Sequence, residues 1–475
     1  MTRRVAIVGA GITGLSAAYY VEKRAREQAV DLSVTLIEAA PRGGGKVITD
    51  DVRGFVIEGG PDSFVTDKPW ALALCHELGL GEHLIPCNTH HNKVYLLRKG
   101  RLHAYPEGFR LTIPTRLGPF IRTRLISWPG KCRMAAEYFL PARPRDEDES
   151  LGSFIGRRFG REAVEIFGGP LMAGIYVSDP DRLSMRGAFP TFLDMERNHG
   201  GLIRAARAMK RKPPPRRAGP APAGNAIFNT LRDGMGRLAA ALEERVAATR
   251  YYGCTVDGLS RSGSRWQLSI SGARTEALEA DDVVLATPAH RAAVLVSACD
   301  AELAGLLGGI RFVSTATVSL AFLREDVPAG CPADGFGVLL PARENRKVIA
   351  CTYSSNKFKH RAPHDGVLLR VFVGGYRQEA VAELPEAELV EVVCREVAEV
   401  LGIHAPPILT RVYRWPKGNP QYDVGHVERV ERMEAMAARI PGLHLAGSSY
   451  HGVGLPDCIK SALRAVDRIL PDTAI

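Results

Sequence analysis

Residues 5–14, VAIVGAGITG, combine residue types and spacing that could do chemistry. Gly9, Gly11 and Gly14 make G-x-G-x-x-G directly after the β-branched run Val5–Val8, and a helix-compatible stretch, Leu15 to Val21, follows. In such a turn the first glycine permits the bend and the second lets backbone approach a pyrophosphate. The third lets helix and strand pack closely, and the helix N-terminus favours the ligand's negative charge. A second run, SVTLIE, ends in Glu38, 24 residues after Gly14, a spacing that suits an acid holding a ribose hydroxyl. The chemistry on offer is that of a bound dinucleotide, in which the cofactor carries the electrons. The glycines alone leave NAD and FAD both open.

The next residues narrow the choice. EAAPRGGGKVIT places Arg42, Gly44, Gly45 and Lys46 just after Glu38 and Ala39, and GFVIEGGPDSF adds Gly59, Gly60, Pro61 and Asp62. A second glycine-rich loop so soon suits a longer, folded-back dinucleotide. This E-A-x-x-R-x-G-G pattern resembles the FAD-dependent amine oxidase superfamily. Three further segments, GPLMAGIYVSDPDRLSMRGAFP (169–190), WPKGNPQYDVGH (415–426) and LAGSSYHGVGLPDCI (445–459), are similar to the protoporphyrinogen and coproporphyrinogen III oxidases of heme synthesis. The likeness runs almost end to end. PLMAGIY and VGLPDC look closest to the branch of Gram-positive bacteria, which mostly acts on coproporphyrinogen III.

The resemblance implies FAD as cofactor, a porphyrinogen as substrate and O2 as acceptor, with six electrons removed in three two-electron steps and H2O2 formed. It implies no metal and no nucleophilic residue. It assigns Gly9, Ala10, Gly11, Ile12, Thr13 and Gly14 to the pyrophosphate and Glu38 with Ala39 to the adenosine ribose. Arg42, Gly45 and Lys46 would line the middle of the flavin, and Gly60, Pro61, Asp62 and Ser63 would pass beside its ring. Val256 matches a position whose backbone meets adenine, and Trp415 a cofactor-side tryptophan. Gly447, Val453, Gly454 and Leu455 match the C-terminal loop and helix start. Lys93 aligns with a basic position that meets a propionate, and Ile175 and Tyr176 are candidates for the pocket wall. His451 reads as a loop histidine beside the cofactor rather than a catalyst. The role of Cys458 stays open, as does the choice between the copro and proto substrates.

The elements that must position these residues point to an α/β protein with α+β insertions. The expected architecture is a Rossmann-type FAD-binding domain with an inserted mixed-sheet substrate domain and a helical lobe. The FAD domain is expected to be discontinuous, over 1–85, 225–295 and 425–475, with DDVVLATPAH returning the chain to it. The substrate domain covers 86–110 and 296–424. It includes a hairpin at NKVYLLRKGRLHAYP (92–106) and the apolar strands TATVSLAFL and VLLRVFVGG. The lobe covers 111–224 and closes with a Pro-rich loop at 210–224.

The 475 residues suffice for two or three domains, and 45% hydrophobic with 24% charged residues is ordinary for a globular chain. Nine cysteines show no CxxC spacing, which argues against a zinc site or disulfide framework. The formal charge is +10. Nine bases face two acids between Arg101 and Arg145, and seven bases face none between Arg204 and Arg217. No nucleic-acid-binding signature accompanies them, so an acidic small substrate or anionic lipid is the better match. TRLISWPGKCRMAAEYFL mixes aromatic and cationic residues as interfacial helices do. The favoured reading is that its apolar residues line the core or the substrate pocket, with peripheral membrane contact as the alternative. No uncharged run reaches the ~18 residues of a membrane span. A strand that begins almost at once leaves no room for a signal peptide, so a cytoplasmic protein is expected. Three rival functions remain: a general amine oxidase acting on polyamines, a carotenoid-type desaturase, and a flavoprotein scaffold that hands porphyrin to a chelatase.

Overall fold

The computed structural model describes residues 2–90, 92–110, 112–143, 147–209, 223–224, 226–332 and 335–472. Most of the loop 210–224 therefore lies outside the described residues. The N-terminal run forms the central strand, Arg3–Val8, of a five-stranded parallel sheet. In spatial order its strands are Thr249–Tyr252, Leu32–Glu38, Arg3–Val8, Asp282–Leu285 and Leu443–Leu445. All four pairings are parallel. The start, the middle and the end of the chain thus meet in one sheet. Continuous apolar runs suit such strands because both faces are covered. The helices Ile12–Glu27, Gly236–Arg245 and Leu455–Ile469 pack on one face. A three-stranded antiparallel sheet (254–280) and the helices Ala289–Val296, Ala301–Gly308 and His426–Ala437 cover the other.

A second sheet has seven strands, ordered Leu409–Pro420, Phe312–Leu323, Gly366–Gly374, Val348–Tyr353, Gly335–Leu339, Lys93–Arg98 and Arg101–Ala104. It is mixed, because Gly335–Leu339 runs parallel to Lys93–Arg98 while the other pairings are antiparallel. The last two strands form a hairpin whose turn residues, Lys99 and Gly100, both have φ > 0, the primed geometry that matches strand twist. The helix Glu386–Leu401 packs its apolar stripe against this sheet.

Between these units lies a helical lobe that includes Leu117–Arg122, Trp128–Ala135, Leu151–Phe159, Gly169–Ile175, Pro190–His199 and Leu202–Met209. Its core holds Phe154, Phe159, Phe167, Met172 and Tyr422. The buried Arg158 is paired with the buried Glu137 and with Glu196 inside it. The apolar residues of 117–140 divide in two, so the core reading of those in 123–140 holds for only part of them. Leu125, Ile126 and Met134 are buried, but Leu117 (67% exposed), Trp128 (66%) and Phe139 (82%) face solvent. The pattern has a geometric cause: consecutive short helices present two apolar faces, and the lobe core covers only one. No helix among the described residues is long and apolar enough to cross a membrane.

Candidate functional site: a cleft between the two sheets

The first strand ends in the glycine turn, and packing there is close. A Cβ on Gly14 would lie 1.8 Å from the Gly9 carbonyl oxygen. The second glycine loop docks directly on the first. The Gly44 amide donates to the Ala10 carbonyl at 2.8 Å, and a Cβ on Gly45 would sit 2.9 Å from Gly11 Cα. The Arg42 guanidinium ties the loop by donating to the carbonyls of Gly43 (2.7 Å) and Gly45 (2.9 Å). Glu38 accepts from the amides of Ala10 (2.8 Å) and Ala40 (2.9 Å), which fixes its carboxylate at the strand end with acceptor capacity left over. Val256 is a buried residue in a strand that packs on Leu32–Glu38, so its backbone lies on the Glu38 side of the sheet.

The C-terminal helix brings a third wall. Gly454 caps Leu455–Ile469, with Pro456 in its first turn. One turn in, the Cys458 thiol is hydrogen-bonded to Thr13 and stands beside Lys46, and burial pushes its pKa up to about 11. A neutral thiol at that position packs the helix start against the glycine turn. Gly447 is buried, with φ +129, and a Cβ there would meet nothing within 4 Å. Its backbone therefore faces open space inside the protein.

Lys46 shows the same space from the other side. Water reaches its side chain, yet the protein encloses it so deeply that burial lowers the ammonium's pKa. Both hold for a side chain lining a deep cleft. The ammonium donates to the Gly418 carbonyl and has no carboxylate partner among the described residues. Gly60 lies against the Lys46 backbone: a Cβ on it would be 1.8 Å from the Lys46 oxygen. Trp415, on the edge strand of the second sheet, donates from Nε1 to the Gly59 carbonyl at 3.0 Å. Asp62 accepts from Ser63 Oγ (2.7 Å) and from Lys357 Nζ (2.8 and 3.0 Å). Burial opposes its charge, but Lys357 and Arg370 together hold the carboxyl well below the usual range.

The structure thus brings together the glycine turn, Glu38, Arg42, Gly45, Lys46, Gly60 to Ser63, Trp415 and the 447–455 loop. Tyr176 stands on the lobe side. Its ring packs edge-on against Phe189 and near Tyr422, and Val453 joins the same apolar cluster. Burial pushes the Tyr176 hydroxyl up to about 12, so it stays neutral. The Ile175 side chain lies outside the described residues. Lys93 is exposed and five strands from Trp415 across the second sheet, roughly 24 Å at the usual strand spacing. His451 Nε2 lies within hydrogen-bond distance, 2.8 Å, of a Glu434 carboxylate oxygen. No cluster of three or more His, Cys, Asp or Glu placed to hold a metal ion occurs among the described residues.

Several contributors escaped the sequence reading. Tyr422, in QYDVGH, donates to the Ser448 carbonyl (2.6 Å), accepts from the Gly452 amide (2.8 Å) and stacks on His426 at 4.0 Å. It holds the 447–454 loop in shape. Arg370 and Lys357 come from the second sheet and the short helix after its fourth strand. An arginine alone inside the apolar run VLLRVFV is a legible signal of a buried polar task.

The cleft fits a dinucleotide with a flavin. The glycine turn leaves Gly11 open, with nothing closer than 4.0 Å to a Cβ there. The Thr287 hydroxyl, on the loop that faces Gly9, is buried without a partner among the described residues. An uncompensated ammonium, a free hydroxyl and a helix start all await an anionic, hydrogen-bonding ligand. A family model described as flavin-containing amine oxidoreductase matches residues 12–470, and the chain belongs to that family. It is an oxidoreductase whose cofactor is FAD. Relatives sharpen the picture. Coproporphyrinogen III oxidase of Bacillus subtilis (strain 168) is 37% identical, with 98% of each chain covered. The mitochondrial protoporphyrinogen oxidase of Nicotiana tabacum is 27% identical over 98% of this chain and 95% of its own. The crystal structure of a protein from Exiguobacterium sp. 255-15, named as a protoporphyrinogen oxidase, superposes with TM-score 0.87 at 33% identity, covering 99% of both chains.

Proposed function

We propose that the protein oxidises coproporphyrinogen III to coproporphyrin III, using O2 as final acceptor. The carrying observation is the end-to-end likeness to coproporphyrinogen III oxidases, combined with Tyr176 and Val453 in the apolar cluster of the lobe. Bound FAD would accept two electrons at a time and return them to O2 as H2O2. Three such rounds remove six electrons and six protons, so one porphyrinogen and three O2 give one porphyrin and three H2O2.

The chain's own residues bind and orient. Gly9 to Gly14 would hold the pyrophosphate, Glu38 with Ala39 the ribose, and the Val256 backbone the adenine edge. Arg42, Gly45 and Lys46 would keep the flavin's middle in place, with Gly60 to Ser63 and Trp415 beside the ring. Gly447, Val453, Gly454 and Leu455 would close the far side, where helix-start amides favour negative charge on the reduced ring. Tyr176 and Ile175 would wall the macrocycle, and Lys93 would meet a propionate at its rim. With His451 tied to Glu434, solvent or the pyrrole nitrogens would take the released protons. Protoporphyrinogen IX is the second reading, favoured by the name of the Exiguobacterium protein. Parallel oxidation of the two porphyrinogens separates them.

The surroundings belong to the same reading. We infer a cytoplasmic protein whose lobe rests on an anionic membrane. Leu117, Ile121, Trp128, Tyr138 and Phe139 are exposed beside Arg116, Arg122 and Arg124, and Lys131 sits over the Trp128 ring. Apolar and cationic groups on one surface suit anionic lipid. Flotation with phosphatidylglycerol vesicles at low salt should carry the protein, and Phe139→Asp with Trp128→Asp should release it. A wild-type protein that stays at the bottom contradicts this placement. Hand-over of the porphyrin to a chelatase rests on the product's chemistry alone: an oxidised macrocycle is ready for metal insertion.

A further inference from the structure

The strand Gly366–Gly374 is apolar except for Arg370, and Arg370 is only 5% exposed. One amino group of its guanidinium donates to the carbonyls of Gly59 (3.1 Å) and Gly60 (2.5 Å). Its Nε is buried with no hydrogen-bond partner among the described residues. The opposing charge that acts on it most strongly, Asp62, already accepts from Lys357. One layer deeper, Arg361 pairs with Glu58 at 3.3 Å. Three cations, Arg370, Lys357 and Arg361, therefore meet two carboxylates, Asp62 within the segment 59–63 and Glu58 just before it. The Gly59 carbonyl also accepts from Trp415 Nε1 (3.0 Å) and Thr317 Oγ1 (3.4 Å) of the same sheet, and Gly60 packs against the Lys46 backbone.

We propose that Arg370 is a positioning residue for the electron transfer: it fixes the Gly59 and Gly60 carbonyls and sets a buried positive charge behind the flavin segment, which favours the reduced, negatively charged cofactor. The inference rests on the reading of the chain as an FAD oxidase. A fixed charge in an enclosed site acts without reorganising, which makes it effective over several ångströms. Asp62 sets how much of that charge is felt, because its carboxylate offsets Arg370 and Lys357.

The test measures the midpoint potential of bound FAD in purified holoenzyme. Arg370→Met should lower the reduction equilibrium about tenfold, or about 30 mV for a two-electron couple. Asp62→Asn should shift it the other way by a similar factor. Arg370→Lys, which keeps the charge, should stay near the wild-type potential. Flavin reduction by porphyrinogen should slow in Arg370→Met while KM moves by less than about threefold. A wild-type potential in FAD-loaded Arg370→Met, or shifts of the same sign in Arg370→Met and Asp62→Asn, overturns the proposal. Where Arg370→Met fails to hold FAD, the sign in Asp62→Asn decides. Wild-type protein that binds no FAD or leaves porphyrinogen untouched refutes the underlying reading instead.

Discussion

Gly14→Ala should bind FAD about 100-fold more weakly than wild type and unfold at a lower temperature. The added Cβ would fall 1.8 Å from the Gly9 carbonyl oxygen, and that atom is backbone. No rotamer change relieves the overlap, so the helix Ile12–Glu27 must move off the first strand and carry its N-terminal amides with it. Gly11→Ala is the informative partner. Its nearest protein atom would be 4.0 Å away, and its helix-cap backbone (φ −68°) accepts any residue. The apo protein should keep its stability while FAD affinity falls, because the methyl group fills space meant for the pyrophosphate. FAD titration and thermal unfolding of apo and loaded proteins check both. Gly14→Ala with wild-type FAD affinity would contradict the cradle.

The second large effect lies beneath the cleft. Arg361→Leu should cost about 3–5 kcal/mol of stability at neutral pH. Arg361 is 1% exposed and donates to Thr230 Oγ1 (2.8 Å) and to the carbonyls of Leu231 (3.0 Å) and Arg232 (2.9 Å), besides pairing with Glu58. It ties the loop beyond the second sheet's short helix to the nucleotide-binding region. Burial already raises the Glu58 pKa, with Arg361 as the main opposing influence, and the substitution would raise it further. A raised carboxyl pKa gives stability that is complete below the unfolded value and lost as pH rises through the folded one. The deficit of Arg361→Leu should therefore grow from acid toward neutral pH, and Glu58→Gln in the same chain should flatten that slope. Denaturant unfolding across pH checks it; a deficit independent of pH would show that Glu58 is not the orphaned charge.

How much of the fold and site was legible in the sequence depends on how local each signal is. Gly9, Gly11 and Gly14 act through their own backbone and immediate neighbours, so spacing alone exposed them. Glu38 followed from one strand length. The meeting of chain start, middle and end in one parallel sheet was legible because each contributes a short apolar run that needs cover on both faces. Arg370, Arg361 and Tyr422 act on carbonyls far away in the chain, which no pattern marks. Only the oddity of a lone arginine in VLLRVFV, and of a tyrosine inside QYDVGH, could have flagged them. The buried and exposed apolar residues of 123–140 could not be told apart because a short amphipathic helix looks the same whether its apolar side meets a core or nothing.

The most direct test of the central claim is porphyrin fluorescence after FAD-loaded protein meets coproporphyrinogen III under air, with protoporphyrinogen IX in parallel and H2O2 measured alongside. Coproporphyrin should form at a much higher kcat/KM than the proto product, with three H2O2 per macrocycle. No oxidation of either porphyrinogen by protein that holds FAD would contradict the claim.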